Sequence, residues 1–144
     1  ELVLDEGVRF PTVRLKPLGP PDITVISIGG MGTDAEMAAL WLFDEKEILV
    51  DLFLPTQLFP FNFSAIRESI SATKAVVVVE EGQGFGSLSS EILAQITEEK
   101  SLHKTACGRV TAAPQTIPSS RPLEEECLPN TKSILDKILE VLNA

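Results

Sequence analysis

The chain has 144 residues, a formal net charge of −9 and 44% hydrophobic residues, which is enough for one domain with a buried core. Its charged fraction of 23% and its mean hydropathy of +0.17 exclude a disordered acidic tail. The acidic balance argues against nucleic acid and anionic membrane surfaces as partners, since both need an excess of Lys and Arg. The sequence shows no apolar run of the roughly 18–20 residues that a membrane span needs, and no secretory signal.

The chain contains two cysteines, Cys107 and Cys127, and one histidine, His103. None of them has a second Cys or His at the spacing of a zinc site, and two thiols do not make a disulfide framework. We therefore expect reduced thiols and no metal site. The chain opens with Glu1 rather than Met, so we expect it to be a piece of a longer protein.

Several segments have the composition of β-strands. In chain order they are Thr12–Leu15, Ile23–Ile28, Ile48–Leu54, Ala75–Val79 and Gly108–Thr111. The first alternates apolar and polar residues, as a short edge strand does, inside a lead-in of residues 1–21 that is punctuated by prolines. Ala75–Val79 is apolar throughout, which predicts a central parallel strand buried on both faces.

Helices are predicted between and after these strands. Their N-terminal caps are Thr33, with Glu36 completing a capping box, then Asn62 or Ser64, then Ser87, and finally Asn130 after the proline-rich loop 114–129. The apolar positions expected to face the core are Met37, Ala38, Trp41 and Leu42; Ile66 and Ile70; Leu88, Ile92 and Ile96; and Ile134, Leu135, Ile138, Val141 and Leu142.

The alternation of strands and helices predicts an α/β domain with a mainly parallel sheet covered by helices on both faces. In such sheets a ligand crevice lies beyond the carboxyl ends of the strands, where the strand order reverses. The loops 29–33 and 80–87 could line it. The candidate crevice residues are Gly29, Gly30, Gly32, Glu80, Glu81, Gly82, Gly84, Gly86 and Ser87.

The segment Gly82–Gly86 follows a strand and opens a helix, as a phosphate-binding loop does. Its third glycine comes one residue too early for G-x-G-x-x-G, and no Lys follows as in a Walker loop. Glu80 and Glu81 would also repel a phosphate. We therefore favour a structural turn over dinucleotide binding, and a structural turn over an anion site at Gly29–Gly32.

Glu80 and Glu81 hold the best position for acid–base chemistry, because a half-buried carboxylate at a central strand end can shift its pKa. Local pairing and solvation are the favoured alternative. Cys107 lies in a predicted strand, where a buried thiol is inert, and the sequence has no G-x-S-x-G elbow. The residues by themselves identify no catalytic residue.

Glu124, Glu125 and Glu126 form a run of carboxylates that could join Asp136 and Glu140 in one acidic patch. A solvated surface loop is the favoured interpretation. The alternative is a docking site for a Lys- and Arg-rich partner, whose binding would depend steeply on salt.

Five segments match the motifs of a known family in the same order along the chain. They are Pro20–Met31, the helix Ala35–Leu42, Ile48–Leu52 with Pro60–Asn62, the strand end Val76–Gly82, and the tail Ile117–Pro129. Together they resemble the C-terminal domain of the transketolase superfamily, most of all the E1 component β subunit of 2-oxoacid dehydrogenases. The resemblance runs from about residue 22 to the end, so we divide the chain into a lead-in (1–21) and a transketolase C-terminal-like domain (22–144). The chain departs from the family pattern at Asn62, where the family has Asp, at Ser120, where it has Pro, and at Leu54–Gln57.

The resemblance implies a mixed sheet whose first strand is antiparallel. With the strands above, this gives three layers, α/β/α, and a mostly parallel five-stranded sheet with Thr12–Leu15 as its antiparallel edge. Such enzymes use thiamin diphosphate and Mg²⁺ to decarboxylate a 2-oxoacid, and they pass the acyl group to a lipoyl carrier. Their cofactor sites lie in the preceding domains, and the diphosphate motif G-D-G…N-N is absent from this chain.

The resemblance thus implies a domain that binds no cofactor and is not catalytic alone. Its implied partners are its own N-terminal domain, a second β-like subunit, the E1 α subunit and the E2 acyltransferase. Its implied compartment is the cytoplasm of a bacterium or the matrix of a mitochondrion or plastid. The alternatives are a transketolase, deoxyxylulose phosphate synthase or 2-oxoacid:ferredoxin oxidoreductase parent, or a free-standing flavodoxin-like domain that binds a small anion.

Overall fold

The computed structural model describes residues 1–4 and 9–143. The strands are β1 (Leu2–Leu4), β2 (Val13–Leu15), β3 (Ile23–Ile28), β4 (Val50–Leu54), β5 (Ala75–Gln83) and β6 (Ala106–Ala112). The helices are α1 (Gly32–Lys46), α2 (Ser64–Thr73), α3 (Leu88–Glu98), α4 (Arg121–Cys127) and α5 (Thr131–Leu142). A 3₁₀ turn, Gly29–Met31, links β3 to α1.

The strands form one six-stranded sheet in the order β1-β2-β4-β3-β5-β6. The strands from β3 to β6 pair in parallel, whereas β1 and β2 are antiparallel. This confirms the mostly parallel sheet with an antiparallel edge. The predicted number of strands is one too low, because Leu2–Leu4 pairs with Val13–Leu15 and displaces it from the edge.

Helices cover both faces of the sheet, which confirms the three-layer α/β/α architecture. Residues of α1 and α5 pack on one face, and residues of α2 and α3 pack on the other. The run Val76–Val79 of β5 is completely buried between the two layers, as its continuous apolar sequence predicts.

Helix α1 differs from the prediction at its start and on its faces. It begins at Gly32, directly after the 3₁₀ turn, with no side-chain cap, so the capping box at Thr33 is wrong. The buried residues of α1 are Ala35, Ala38 and Leu42, whereas Met37 and Trp41 are exposed. The two alanines share one face at helical spacing and let the helix approach the sheet, which leaves the larger side chains outside.

The other helix starts follow the local sequence more closely. The side chain of Ser87 accepts a hydrogen bond from the backbone of Ser90, and Asn130 forms a capping box with Ser133. At α2 the predicted cap, Asn62 or Ser64, is wrong, because the N-cap position is Phe63 and has no side-chain cap bond; Asn62 Oδ1 instead accepts a bond from the Ser64 N–H at 3.2 Å.

Two segments predicted as loops contain regular structure. The proline-rich stretch includes α4, which has Pro122 in its first turn, where the missing N–H costs nothing. Strand β5 continues through Glu80, Glu81 and Gly82 to Gln83, with an irregularity in its pairing to β6. The division between residues 21 and 22 stays a prediction, and β1 and β2 belong to the same sheet as the rest.

Candidate functional site

The strand order reverses between β3 and β5. These strands are neighbours, but the chain leaves β3 toward β4 on one side and returns to β5 on the other. Ile28 lies opposite Glu80, so the turn after β3 lies beside the last residues of β5. The predicted crevice residues are thereby brought to the carboxyl ends of the central strands, at the switch point of the sheet. Ligand binding there stays a prediction.

Glu80 and Glu81 project to opposite faces of β5, as successive strand residues do. Glu80 is only 7% exposed, and its Oε2 accepts a hydrogen bond from the Ser89 N–H at 3.1 Å. Its other oxygen, Oε1, has no hydrogen-bond partner among the described residues. Oε2 of the exposed Glu81 lies over Gly30, 3.4 Å from the position that a Cβ would occupy there. Both carboxylates can accept hydrogen bonds, and both can pair with a cation.

The first turn of α3 already has acceptors for its N–H groups. Ser87 Oγ accepts from the Ser90 N–H at 3.2 Å, and Glu80 accepts from the Ser89 N–H. A bound anion at a helix N-terminus would need these donors. The contacts therefore favour a structural turn at this loop.

The loop between β5 and α3 is held by a residue that the sequence analysis did not single out. Arg109 Nη1, from β6, donates to the carbonyl oxygen of Gly84 at 2.7 Å and to Ser90 Oγ at 2.6 Å. Gly86 has a φ of +66°, a conformation that glycine adopts without strain. Finding Arg109 from the sequence would have required the register between β5 and β6.

The predicted acidic patch is partly neutralised within its own helices. Glu125 pairs with Arg121 at 2.8 Å, Asp136 with Lys132 at 2.6 Å, and Glu140 with Lys137 at 2.6 Å. The remaining two, Glu124 and Glu126, have no ion pair in residues 1–4 and 9–143. Partner docking at this patch stays a prediction, and these two are its free carboxylates.

Within the described ranges, no group of three or more His, Cys, Asp or Glu side chains could hold a metal ion. The expectation of a buried Cys107 is wrong, because this residue is exposed on the edge strand β6. Partial burial of its thiol nevertheless raises the pKa of Cys107. None of the helices in the described ranges is long and apolar enough to cross a membrane.

A groove of about 380 Å³ runs between α1 and the segments before β3 and β4. Its apolar lining includes Leu15, Leu18, Leu40, Phe43 and Ile48. This surface could not be predicted from the sequence, because its lining comes from separate segments that meet only in the fold. The available signal was that α1 carries large apolar residues on every side.

Residues 14–134 match the family model "Transketolase, C-terminal domain". One curated relative is the mitochondrial pyruvate dehydrogenase E1 component subunit beta of Caenorhabditis elegans, 27% identical over 98% of this chain and 41% of the relative. Another is the acetoin:2,6-dichlorophenolindophenol oxidoreductase subunit beta of Bacillus subtilis, 28% identical over 84% of this chain and 35% of the relative. The pyruvate dehydrogenase E1 component subunit beta of Staphylococcus aureus is 30% identical over 84% of this chain and 37% of the relative. The chain thus spans less than half the length of these relatives.

Solved structures share the fold. A split gene transketolase, an inactive β4 tetramer, gives a TM-score of 0.75 at 22% identity, covering 90% of this chain and 42% of that chain. A 2-oxoglutarate:ferredoxin oxidoreductase from Magnetococcus marinus gives 0.65 at 18% identity, covering 91% of this chain and 19% of that chain. These findings confirm the resemblance drawn from the sequence motifs. The chain belongs to the transketolase C-terminal domain family.

Proposed function

We propose that the chain is the C-terminal, non-catalytic domain of a thiamin-diphosphate-dependent 2-oxoacid dehydrogenase E1 β-like protein. In this proposal it serves subunit assembly and the docking of the acyltransferase component. The observation that carries the proposal is the family match over residues 14–134, joined to curated E1 β relatives that align with up to 98% of the chain.

We propose that thiamin diphosphate and Mg²⁺ are bound by preceding domains of the parent. In this proposal the described residues leave the binding of both groups to those domains. The described part of the chain offers no set of three or more metal-ligating side chains, and the carboxylates of Glu80 and Glu81 would repel a diphosphate at the crevice. We therefore assign no catalytic step to this chain.

The proposed partners are the parent's own N-terminal domain, a second β-like subunit, the E1 α subunit and the E2 acyltransferase. The exposed large apolar side chains support an assembly role, since contiguous exposed apolar surface marks protein contacts. The proposed compartment is the bacterial cytoplasm or the matrix of a mitochondrion or plastid.

The parentage is tested by reading the source gene upstream of the Glu1 codon. We expect an in-frame α/β domain of the thiamin-binding type. A start codon close upstream would contradict the proposal. The structural likeness to a transketolase and to a 2-oxoacid:ferredoxin oxidoreductase favours parents of those types as the second candidate, and the same upstream sequence separates the candidates.

The non-catalytic role is tested with the purified chain, thiamin diphosphate, Mg²⁺ and a panel of 2-oxoacids. We expect no release of CO₂ from the chain, and release from the full parent with its partner subunits. Turnover by the chain alone would overturn this part of the proposal.

The docking role is tested by charge reversal in the parent protein. Glu124→Lys with Glu126→Lys should weaken binding of the E2 acyltransferase, most strongly at low salt. Glu68→Lys with Glu98→Lys, at exposed positions on α2 and α3, makes the same change in net charge and is the matched control. Equal affinity of both variants for E2 would show that the acidic run is only solvated.

A further inference from the structure

Helix α1 is apolar on its outer face as well as on the face that packs on the sheet. The outer face exposes Met37 (55%), Leu40 (58%), Trp41 (42%) and Phe43 (55%). A surface helix ordinarily carries polar residues there, and a helix that is apolar all round is normally covered on both sides. Such an exposed apolar face is typical of an interaction surface.

The groove beside α1 extends this surface. Leu40 and Phe43 belong both to the exposed face and to the wall of the groove, and Leu18, which is 97% exposed, forms part of the opposite wall. The convex row of side chains and the concave groove are thus continuous. Such a shape accommodates an amphipathic helix, whose apolar residues repeat at three- and four-residue spacing.

Carboxylates outnumber cations at the apolar surface, where Lys46 is exposed on α1 and Lys16 lines the groove. Glu36, Asp44 and Glu45 are exposed on α1, and none of them has an ion pair within the described ranges. The chain as a whole carries a net charge of −9. A second copy would bring these carboxylates against one another, whereas a segment rich in Lys and Arg would neutralise them. Charge complementarity therefore points to a basic partner and not to self-association.

We propose that the outer face of α1 and the adjoining groove bind an amphipathic helix of another polypeptide, with Lys and Arg flanking its apolar stripe. The apolar stripe packs on Met37, Leu40 and Phe43, and the basic residues face Glu36 and Asp44. Only α1 and its groove take part in this binding. It requires neither the proposed E1 β parentage nor the acidic run on α4.

The chain carries its own reporter for this contact, because Trp41 is its only tryptophan and lies on the outer face of α1. The probe is a synthetic amphipathic peptide of Leu and Lys, compared with a peptide of the same pattern in which Glu replaces Lys. We expect the Leu–Lys peptide to shift Trp41 emission to shorter wavelength in a saturable manner. We expect the Leu–Glu peptide to leave the emission unchanged.

Substitutions then locate the contact. Leu40→Gln should weaken binding of the Leu–Lys peptide by about tenfold or more, the change expected when a Leu loses its buried contact. Asp44→Lys should also weaken binding and should reduce its dependence on salt. The matched controls are Leu58→Gln, at a comparably exposed apolar position in the loop after β4, and Glu68→Lys on α2. Circular dichroism checks that each variant is folded.

Three outcomes would overturn the proposal. The first is an unchanged Trp41 spectrum. The second is equal weakening by the control variants, which would mean that the peptide binds through net charge alone. The third is a dimer of the chain in sedimentation velocity that Leu40→Gln dissociates, which would identify a second copy as the occupant.

Discussion

The guanidinium of Arg14 donates two hydrogen bonds to the carboxylate of Asp51, from Nε at 2.8 Å and from Nη2 at 2.6 Å. Asp51, on β4, is completely buried, and Arg14 reaches it from β2. The Arg14 guanidinium also lies over the ring of Phe53, with Cζ 4.9 Å from the centroid. The pair therefore joins the short antiparallel strand β2 to the parallel part of the sheet.

The Asp51 carboxylate has a further partner on helix α2. Ser69 Oγ, from α2, donates to Asp51 Oδ2 at 2.5 Å, and the Ser69 hydroxyl is also hydrogen-bonded to the Thr24 hydroxyl at 2.8 Å. A buried carboxylate needs both a counter-charge and hydrogen bonds. This network supplies both, and it ties three strands to one helix.

Removing the counter-charge should be costly. Arg14→Met would leave Asp51 buried without its cation, and we expect a loss of about 3–5 kcal/mol in the free energy of unfolding. Urea denaturation followed by circular dichroism measures it. The control is Arg121→Met, which breaks an exposed pair with Glu125 and should leave the urea midpoint nearly unchanged. Similar shifts in both variants would refute a special role for the Arg14–Asp51 pair.

A second prediction concerns the close approach of α5 to β6 at Gly108. A Cβ at this position would lie 2.6 Å from Val141 Cγ2 and 3.1 Å from Lys137 Cδ, so Gly108→Ala must displace the Val141 side chain or the helix that carries it. We expect a loss of about 1–3 kcal/mol in the free energy of unfolding, the usual cost of overpacking. Gly82→Ala is the control, because a Cβ there meets nothing within 4 Å. A Gly108→Ala variant as stable as the Gly82→Ala variant would contradict the packing described.

Local signals predicted much of the fold. The apolar run of β5 and the caps Ser87 and Asn130 are encoded within a few residues, and each is found where it was predicted. The loops 29–33 and 80–87 were expected to line one crevice, because the carboxyl ends of parallel strands lie at the same end of a sheet, and the structure brings both to the switch point. The placement of the candidate crevice loops could therefore be predicted.

Features that depend on distant contacts could not be predicted. At the start of α1, Asp34 Oδ1 accepts hydrogen bonds from the backbone and side chain of Thr131, which lies 97 residues away. The pairing of β1 with β2 and the contact of Arg109 with Gly84 depend on strand register in the same way. Trp41 is exposed because another face of α1 packs on the sheet. The sequence did not determine which face would pack, since large apolar residues lie on every side of that helix.

A third prediction concerns the start of α5. Asn130 Oδ1 accepts from the Ser133 N–H at 3.0 Å, and Ser133 Oγ accepts from the Asn130 N–H at 2.9 Å. Asn130→Ala removes the first of these bonds and should lower the free energy of unfolding by about 0.5–2 kcal/mol. Asn130→Asp keeps a side-chain acceptor and a negative charge near the helix N-terminus, so it should retain most of the stability. If thermal or urea unfolding shows equal losses for the two variants, the cap is not what stabilises α5.

The last prediction concerns the reactivity of Cys107. Its thiol is at the surface, but partial burial raises its pKa. The thiolate is the form that reacts, so at neutral pH Cys107 should react with Ellman's reagent more slowly than glutathione does. The reaction rate of Cys107 should rise with pH, and its pH profile should lie at higher pH than that of an ordinary cysteine. The reason is that the thiolate fraction grows only as the pH approaches the raised pKa. Cys127→Ser isolates the signal of Cys107, and the same variant unfolded in urea should give the profile of an ordinary cysteine. A folded-state profile that coincides with the unfolded one would show that the surroundings of Cys107 leave its pKa unchanged.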